Sequence, residues 1–400
     1  MSDLFWPGDH RAGAVMSDAA LLTALAGVEN AWLSVLVDAG IAPGGAAADL
    51  TALVSQKDLD GIAASAEKDG NPVTAVVALL RERAGGETAT WLHRGLTSQD
   101  VLDTALMLCT RDALAAVHTA LATQVYTLVD LIESYCAAPL LTRTLTQPAL
   151  PGTFGAKFAG WLTAILDAAE PLSALPFPVQ CGGAAGTMAA ATELSGSPEA
   201  ALGLAATLAA TLDLTAAPPW HTTRSVLTRL GDALVTCTDA WGHVANDIAA
   251  GVRAGELAEG SGGGSSTMPH KSNPVLTVLL RRAAMTAPQL GATLHTASAA
   301  GVDERSDGGW HAEWAALRTL ARRTVVAASQ AADLLKGLRV DTATAAANLA
   351  AAPGIHAEQQ SMQALTGGSG PTDYLGVTAH LVDAAVQRAG RYLKENRDHT

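Results

Sequence analysis

Apolar residues recur at steps of three and four along three stretches of this 400-residue chain. One runs Leu114, Val117, Leu121, Val125, Leu128, Ile132, Tyr135. A second runs Val226, Leu230, Leu234, Cys237, Trp241, Val244, Ile248, Val252. A third runs Trp310, Trp314, Leu317, Ala321, Val325, Ala328, Ala332, Leu335. This spacing draws a single apolar face on a helix. Each run exceeds the usual helix length, which predicts long rods packed side by side. The stripes are core and carry no chemistry. No internal repeat recurs, so the chain is not a solenoid. The first rod begins near residue 102, and beyond residue 340 the pattern weakens into shorter helices broken by Gly and Pro. The expectation is an all-α protein: an N-terminal helical domain over 1–102, a central long-helix bundle over 103–340 and a short C-terminal helical domain over 341–400.

Composition sharpens this. Hydrophobic residues make up 49% and aromatics only 4%, with the apolar share resting on Ala, Leu and Val. Small side chains let helices approach closely, which suits a bundle better than a sandwich. The net charge of −13 and the lack of any basic stripe argue against nucleic acid as a partner. An anionic substrate would need a local cluster of cations set against that overall field. Cys109, Cys136, Cys181 and Cys237 lie far apart without metal-site spacing and read as small buried hydrophobes. The N-terminal stretch shows no signal-peptide pattern, and apolar runs break before the roughly 18 residues of a membrane span. The expected setting is soluble and cytoplasmic, with no membrane contact.

The unusual composition lies between the rods. His93-Arg94-Gly95-Leu96-Thr97-Ser98-Gln99-Asp100 precedes the first, with Ser98 or Asp100 available as helix cap. Arg143-Thr144-Leu145-Thr146-Gln147-Pro148 runs on to Thr153, and Pro219-Trp220-His221-Thr222-Thr223-Arg224 leads into the second rod. Gly260 to Pro274 is rich in glycine and ends Met268-Pro269-His270-Lys271-Ser272-Asn273-Pro274. Glycines permit hinge motion, so such a loop can close over a substrate. It carries two serine hydroxyls, a lysine and an amide, which suit a carboxylate and a developing oxyanion.

This loop reads GSSTMPHKSNP over Gly264–Pro274 and resembles, without mismatch, the GSSxMPxKxNP signature of the fumarase/aspartase superfamily. HRGLTSQDVLDTA and RTLTQPALPGTFG are similar to that family's first two shared stretches, so the resemblance covers nearly the whole chain. It implies a long helical bundle assembled as a homotetramer, with each active site shared between subunits. It also implies that Ser265, first of the loop serines, transfers a proton at carbon; the residues alone leave Ser266 open. Lys271, Asn273, Thr97 and Ser98 would then bind substrate carboxylates. WPGDHRA, CGGAAGTMAA, PWHTTR, ERSDGGWHAEW and PTDYLG resemble the 3-carboxy-cis,cis-muconate cycloisomerase branch in particular.

Two positions depart from the superfamily pattern. Where fumarases and adenylosuccinate lyases have Thr-His, this chain has Thr144-Leu145, and the partner glutamate five residues after Asn273 is Val278. The missing His–Glu pair serves to protonate or activate the leaving group. Hydroxide and amines benefit from such a general acid. A carboxylate leaves as a stable anion, its conjugate acid having a pKa of about 4. The departure therefore suits interconversion of 3-carboxy-cis,cis-muconate and a carboxymuconolactone. It equally suits loss of another stable anion, such as nitrite from nitrosuccinate. An adenylosuccinate lyase-like activity is a further alternative, and a structural pseudo-enzyme is the non-enzymatic one.

His93 precedes the Thr-Ser pair and is expected to face the site as a second catalytic residue. Gln99, Thr144, Gln147, Thr153, Ser266, Thr267 and Met268 are expected at the substrate through their place in the matched motifs. Arg143 and His221 suit either substrate contact or interdomain hydrogen bonding. Arg305 suits a carboxylate anchor or an ion pair with Glu304 or Asp303. Arg94, Arg143, Lys271 and Arg305 together are the cations a small polycarboxylate substrate would require. No metal or organic cofactor is implied, because neither HExxH spacing nor a nucleotide-binding glycine pattern is present.

Overall fold

The computed structural model describes residues 3–260, 263–264, 268, 272–368, 370 and 373–397, the last two of these without their side chains. Helices α1 (Asp18–Asp38), α2 (Leu59–Asp69), α3 (Val73–Ala84) and α4 (Gly86–Trp91) lead to α5 (Ser98–Tyr135). A hairpin of β1 (Pro139–Thr144) and β2 (Gln147–Thr153) follows. Then come α6 (Phe154–Ser173), α7 (Ala189–Ser195), α8 (Pro198–Thr211) and α9 (Ser225–Arg253). Strand β3 (Leu257–Glu259) precedes α10 (Val275–Ala299), α11 (Gly308–Lys336) and β4 (Leu338–Val340). Helices α12 (Thr342–Ala351), α13 (Ala357–Thr366) and α14 (Thr378–Arg397) close the chain. The all-α expectation holds, and the three expected rods are α5, α9 and α11. A fourth long helix, α10, and two short antiparallel ribbons, β1–β2 and β3–β4, were not foreseen.

The chain divides into two compact units, Met1–Ala116, Ala174–Leu234 and Pro288–Val325 against Val117–Ser173, Val235–Ala287 and Val326–Thr400. The division falls within α5, α9, α10 and α11.

In the first unit α1 starts at Ser17, whose hydroxyl accepts the Ala20 N–H. It buries Leu22, Leu25, Val28, Trp32, Leu33 and Leu36, each such side chain adding roughly 1.5–3 kcal/mol by leaving water. Close helix approach follows from missing side chains: a Cβ on Gly231 of α9 would lie 2.7 Å from Leu294 of α10. The ion cluster of Arg224 with Asp103 and Glu313 is almost fully buried, and Trp310 Nε1 also donates to Asp103. Burial raises the Glu313 carboxyl, opposed by the hydrogen bond from Arg224.

In the second unit the stripe Val117, Leu121, Val125, Leu128 and Ile132 is buried. Gln124 ties it to α11 by donating to the Ala328 carbonyl, and it accepts from Trp241 Nε1 of α9. Phe154, Phe158 and Trp161 of α6 pack ring to ring. Helix α14 is longer than the weak C-terminal pattern implied. Its stripe Val382, Ala385, Ala389 and Tyr392 is buried, and Arg388 pairs with Asp167 and Glu170 of α6.

Two sequence expectations need correction. Helices α1 and α5 are long and apolar enough, by length and composition, to cross a membrane. The polar residues that interrupt α1 do not lower its apolar content enough, and Glu29 among them is buried within the protein. Cys136 is exposed, unlike Cys109, Cys181 and Cys237. Burial pushes the Cys109 and Cys237 thiols up to about 12.

Candidate active site

In the first unit the segment His93–Asp100 makes the turn between α4 and α5. His93 takes a left-handed backbone, φ +67°, and Gly95 follows at +88°. A Cβ at Gly95 would press on Leu194 at 3.3 Å and Trp32 at 3.4 Å. The turn is gripped from outside: Arg81 donates to the Leu92 carbonyl and Trp32 Nε1 to the Arg94 carbonyl, at 2.9 and 2.6 Å. His93 Nδ1 meets Glu29 Oε1 of α1 at 2.6 Å. Arg94 is exposed and its Nε folds back onto the Thr90 carbonyl.

Helix α5 opens at Ser98, so neither Ser98 nor Asp100 is the residue before the helix. Asp100, in its first turn, accepts the Thr97 N–H at 3.0 Å, as an acid three residues into a helix does in a capping box. The same carboxylate accepts the N–H groups of Gly182 and Gly183 and faces His221 Nε2 at 2.9 Å. One buried aspartate thereby joins three matched motifs. Gln99 is fully buried, its amide given to Asp103 and to the His221 carbonyl. His221 is 3% exposed and is held within this network. Arg305 Nη1 donates to Thr97 Oγ1 at 3.0 Å, and its guanidinium lies 5.4 Å from the Trp310 ring. His93, Thr97, Ser98 and Arg305 thus gather at one turn, backed by Gln99, Asp100 and His221.

The second unit carries the other expected residues. Thr144 and Gln147 pair across the hairpin tip, and Leu145 and Thr146 between them have φ +48° and +70°. Leu145 is 95% exposed. Arg143 is spent on Glu256, with contacts of 3.1 and 2.7 Å, and Asn348 donates to the same carboxylate. Thr153 is buried, its hydroxyl accepting the Ala156 N–H at the start of α6. Both side chains are engaged within this unit.

Ser265, Ser266, Thr267, His270 and Lys271 lie outside the described residues. The flanks of their loop are tied. Gly263 and Asn273 exchange backbone hydrogen bonds of 2.9 and 2.8 Å. Gly260 N–H donates to the Gly337 carbonyl, and Glu259 accepts the N–H groups of Leu276 and Thr277 at the start of α10. A carboxylate is favoured at a helix N-terminus, and Glu259 thereby links the strand before the loop to the helix after it. Met268 is partly exposed, as are Val275 and Val278 of α10. Sequence reasoning missed Glu29 of α1, Glu256 in the bend between α9 and β3, and Glu259 of β3, carboxylates with no local motif to mark them.

Comparison with known proteins follows the same lines. Residues 38–288 match the Lyase family. The chain is 39% identical over 351 residues to the nitrosuccinate lyase of Streptomyces davaonensis, covering 84% of this chain and 74% of that protein. It is 36% identical over 399 residues to the 3-carboxy-cis,cis-muconate cycloisomerase of Pseudomonas aeruginosa, covering 96% and 84%. The crystal structure of 3-carboxy-cis,cis-muconate lactonizing enzyme from Pseudomonas putida matches with a TM-score of 0.86 at 30% identity, over 95% of this chain and 97% of that one. Family match, similarity along nearly the whole chain and shared fold agree: the chain belongs to the fumarase/aspartase superfamily of lyases.

Proposed function

We propose that this lyase breaks or forms a bond between carbon and a stable anion in a small polycarboxylate. The first reading is interconversion of 3-carboxy-cis,cis-muconate and a carboxymuconolactone. In the closing direction a substrate carboxylate oxygen adds to one alkene carbon while a proton is delivered to its neighbour; opening reverses both. Ser265 is the group assigned to the proton at carbon. Lys271, Asn273, Thr97, Ser98 and Arg305 hold carboxylates and stabilise the enolate-like charge. Active sites in this reading are shared within a homotetramer.

The observation that carries it is the hairpin tip. Leu145, with no ionisable group, stands there 95% exposed, and Val278 on α10 is 56% exposed. Neither can protonate a departing oxygen or nitrogen, and a departing carboxylate does not ask for it. A second reading, elimination of nitrite from nitrosuccinate, meets the same condition. It is favoured by the 39% identity to the Streptomyces davaonensis enzyme.

Purified protein offered each compound separately tests both. Loss of diene absorbance with the muconate supports the first reading, and nitrite release with fumarate formation supports the second. Inertness towards both would overturn the proposal.

A further inference from the structure

Glu29 of α1 follows the buried Val28 and is itself 0% exposed, with Ala31 and Trp32 buried beyond Asn30. Its Oε1 meets His93 Nδ1 at 2.6 Å, and its Oε2 is buried with no hydrogen-bond partner among the described residues. A buried carboxylate costs several kcal/mol, and an apolar side chain of similar volume often serves stability as well or better. Packing alone therefore does not account for this residue.

What it does account for is the state of His93. The 2.6 Å contact needs one proton; with Glu29 as a carboxylate, which accepts and does not donate, that proton is on Nδ1. Nε2 carries no hydrogen bond among the described residues, while the ring keeps 18% exposure. The backbone on either side of His93 is fixed as well. Trp32, three residues along α1 on the same helix face, holds the Arg94 carbonyl, and Arg81 holds the Leu92 carbonyl. The left-handed φ of +67° at His93 is maintained between those two anchors. Strain of this kind persists where the surroundings over-determine it, and it concentrates at working sites.

We propose that Glu29 is the positioning residue of His93. It fixes the tautomer and rotation of the ring so that Nε2 is presented to the substrate. In the protonated ring, Nε2 donates a charge-assisted hydrogen bond to a substrate carboxylate. The imidazolium then lies between two carboxylates, one of the protein and one of the substrate. This inference rests on the proposed reading that a polycarboxylate occupies the turn of His93, Thr97 and Arg305.

Two variants test it. Glu29→Gln keeps an acceptor oxygen for the Nδ1–H and loses the charge, whereas Glu29→Leu loses both. The expected result is a KM raised about 10–100-fold in Glu29→Leu, the worth of one hydrogen bond to a charged group. Glu29→Gln should show a smaller rise, kcat should change little in either, and Glu29→Leu should melt no lower than the unsubstituted protein. In ligand-free protein labelled with 15N-histidine, the hydrogen-bonded Nδ1–H resonance of His93 should persist in Glu29→Gln and vanish in Glu29→Leu. If neither proposed substrate turns over, calorimetric affinity for propane-1,2,3-tricarboxylate replaces KM. The function then fails while the pairing is still tested. A lower melting temperature in Glu29→Leu with unchanged KM or tricarboxylate affinity would overturn the inference. So would a His93 ring protonated on Nε2 alone in the unsubstituted, ligand-free protein.

Discussion

Asp100 and His221 face each other at 2.9 Å, 121 residues apart in sequence and both closed to solvent. The aspartate also serves the N–H groups of Thr97, Gly182 and Gly183, so it organises the Thr-Ser turn rather than meeting substrate. Asp100→Ala would strand several buried donors, each costing about 1–3 kcal/mol. The expected loss is about 3–5 kcal/mol, as for breaking a buried pair. Asp100→Asn, with one acceptor oxygen retained, should lose less. Urea unfolding at fixed protein concentration measures both, and a loss below about 1 kcal/mol for Asp100→Ala would contradict this role.

The N-terminal segment offers a pH test. Asp9 is bidentate with Arg322 at 2.7 Å on both oxygens, and that hydrogen bonding holds its carboxyl below the ordinary 3.8. The folded form thus binds fewer protons there than the unfolded chain. The stabilisation is present above the unfolded value and is lost as the pH falls through the folded one. The melting temperature of Asp9→Asn should lie below that of the unsubstituted protein by a constant gap from pH 7 to about 5. The gap should narrow as the pH falls through about 4. A gap that widens on acidification would refute the pairing.

The hairpin tip stores strain that can be released. Leu145 and Thr146 both have positive φ, as a two-residue type I′ turn requires, and that turn favours Asn and Gly. Thr is β-branched and ill suited to this backbone. Thr146→Gly should stabilise the protein by about 1 kcal/mol, the lower end of the cost of such strain. Differential scanning calorimetry decides it, and a clear loss of stability would show that the turn is not under strain.

How much of this was legible in the sequence depended on the range of the signal. The rods α5, α9 and α11 were readable because one apolar face repeats through each. Helix α10 was not, because Val278 and Met285 lie exposed beside charged Arg281 and Arg282, which blurs any single stripe. The β1–β2 hairpin was hidden by Pro148 and Pro151, residues that disfavour strands away from an edge. Asp100 could be foreseen as an organiser since its first partner, Thr97, is three residues away. Glu29 could not, because its meaning lies in a contact with His93 across 64 positions. Arg143 offered two readings, and only Glu256, 113 residues on, shows where its charge goes.

Proton transfer at carbon is assigned to Ser265 on its place in the loop motif. Ser265→Ala should lower kcat by several orders of magnitude with the fold intact, whereas Ser266→Ala should be milder. Mixing Ser265→Ala and His93→Ala chains, at a substrate concentration where each alone turns over slowly, should restore part of the activity, since sites are proposed to be shared between subunits. A mild Ser265→Ala with a damaging Ser266→Ala would reverse the assignment, and an active monomer in light scattering would remove the shared site.

The central claim is that the leaving group needs no proton, because Leu145 and Val278 replace the pair that would supply one. The direct measurement compares kcat/KM of the unsubstituted protein on carboxymuconate, its lactone and nitrosuccinate with that on malate, aspartate and adenylosuccinate. Carboxylate or nitrite departure should be fast for at least one compound of the first group. The second group should be slower by at least the roughly 10²–10⁴-fold worth of a general acid. Fumarate formation from malate at a rate comparable to carboxymuconate turnover would contradict the account.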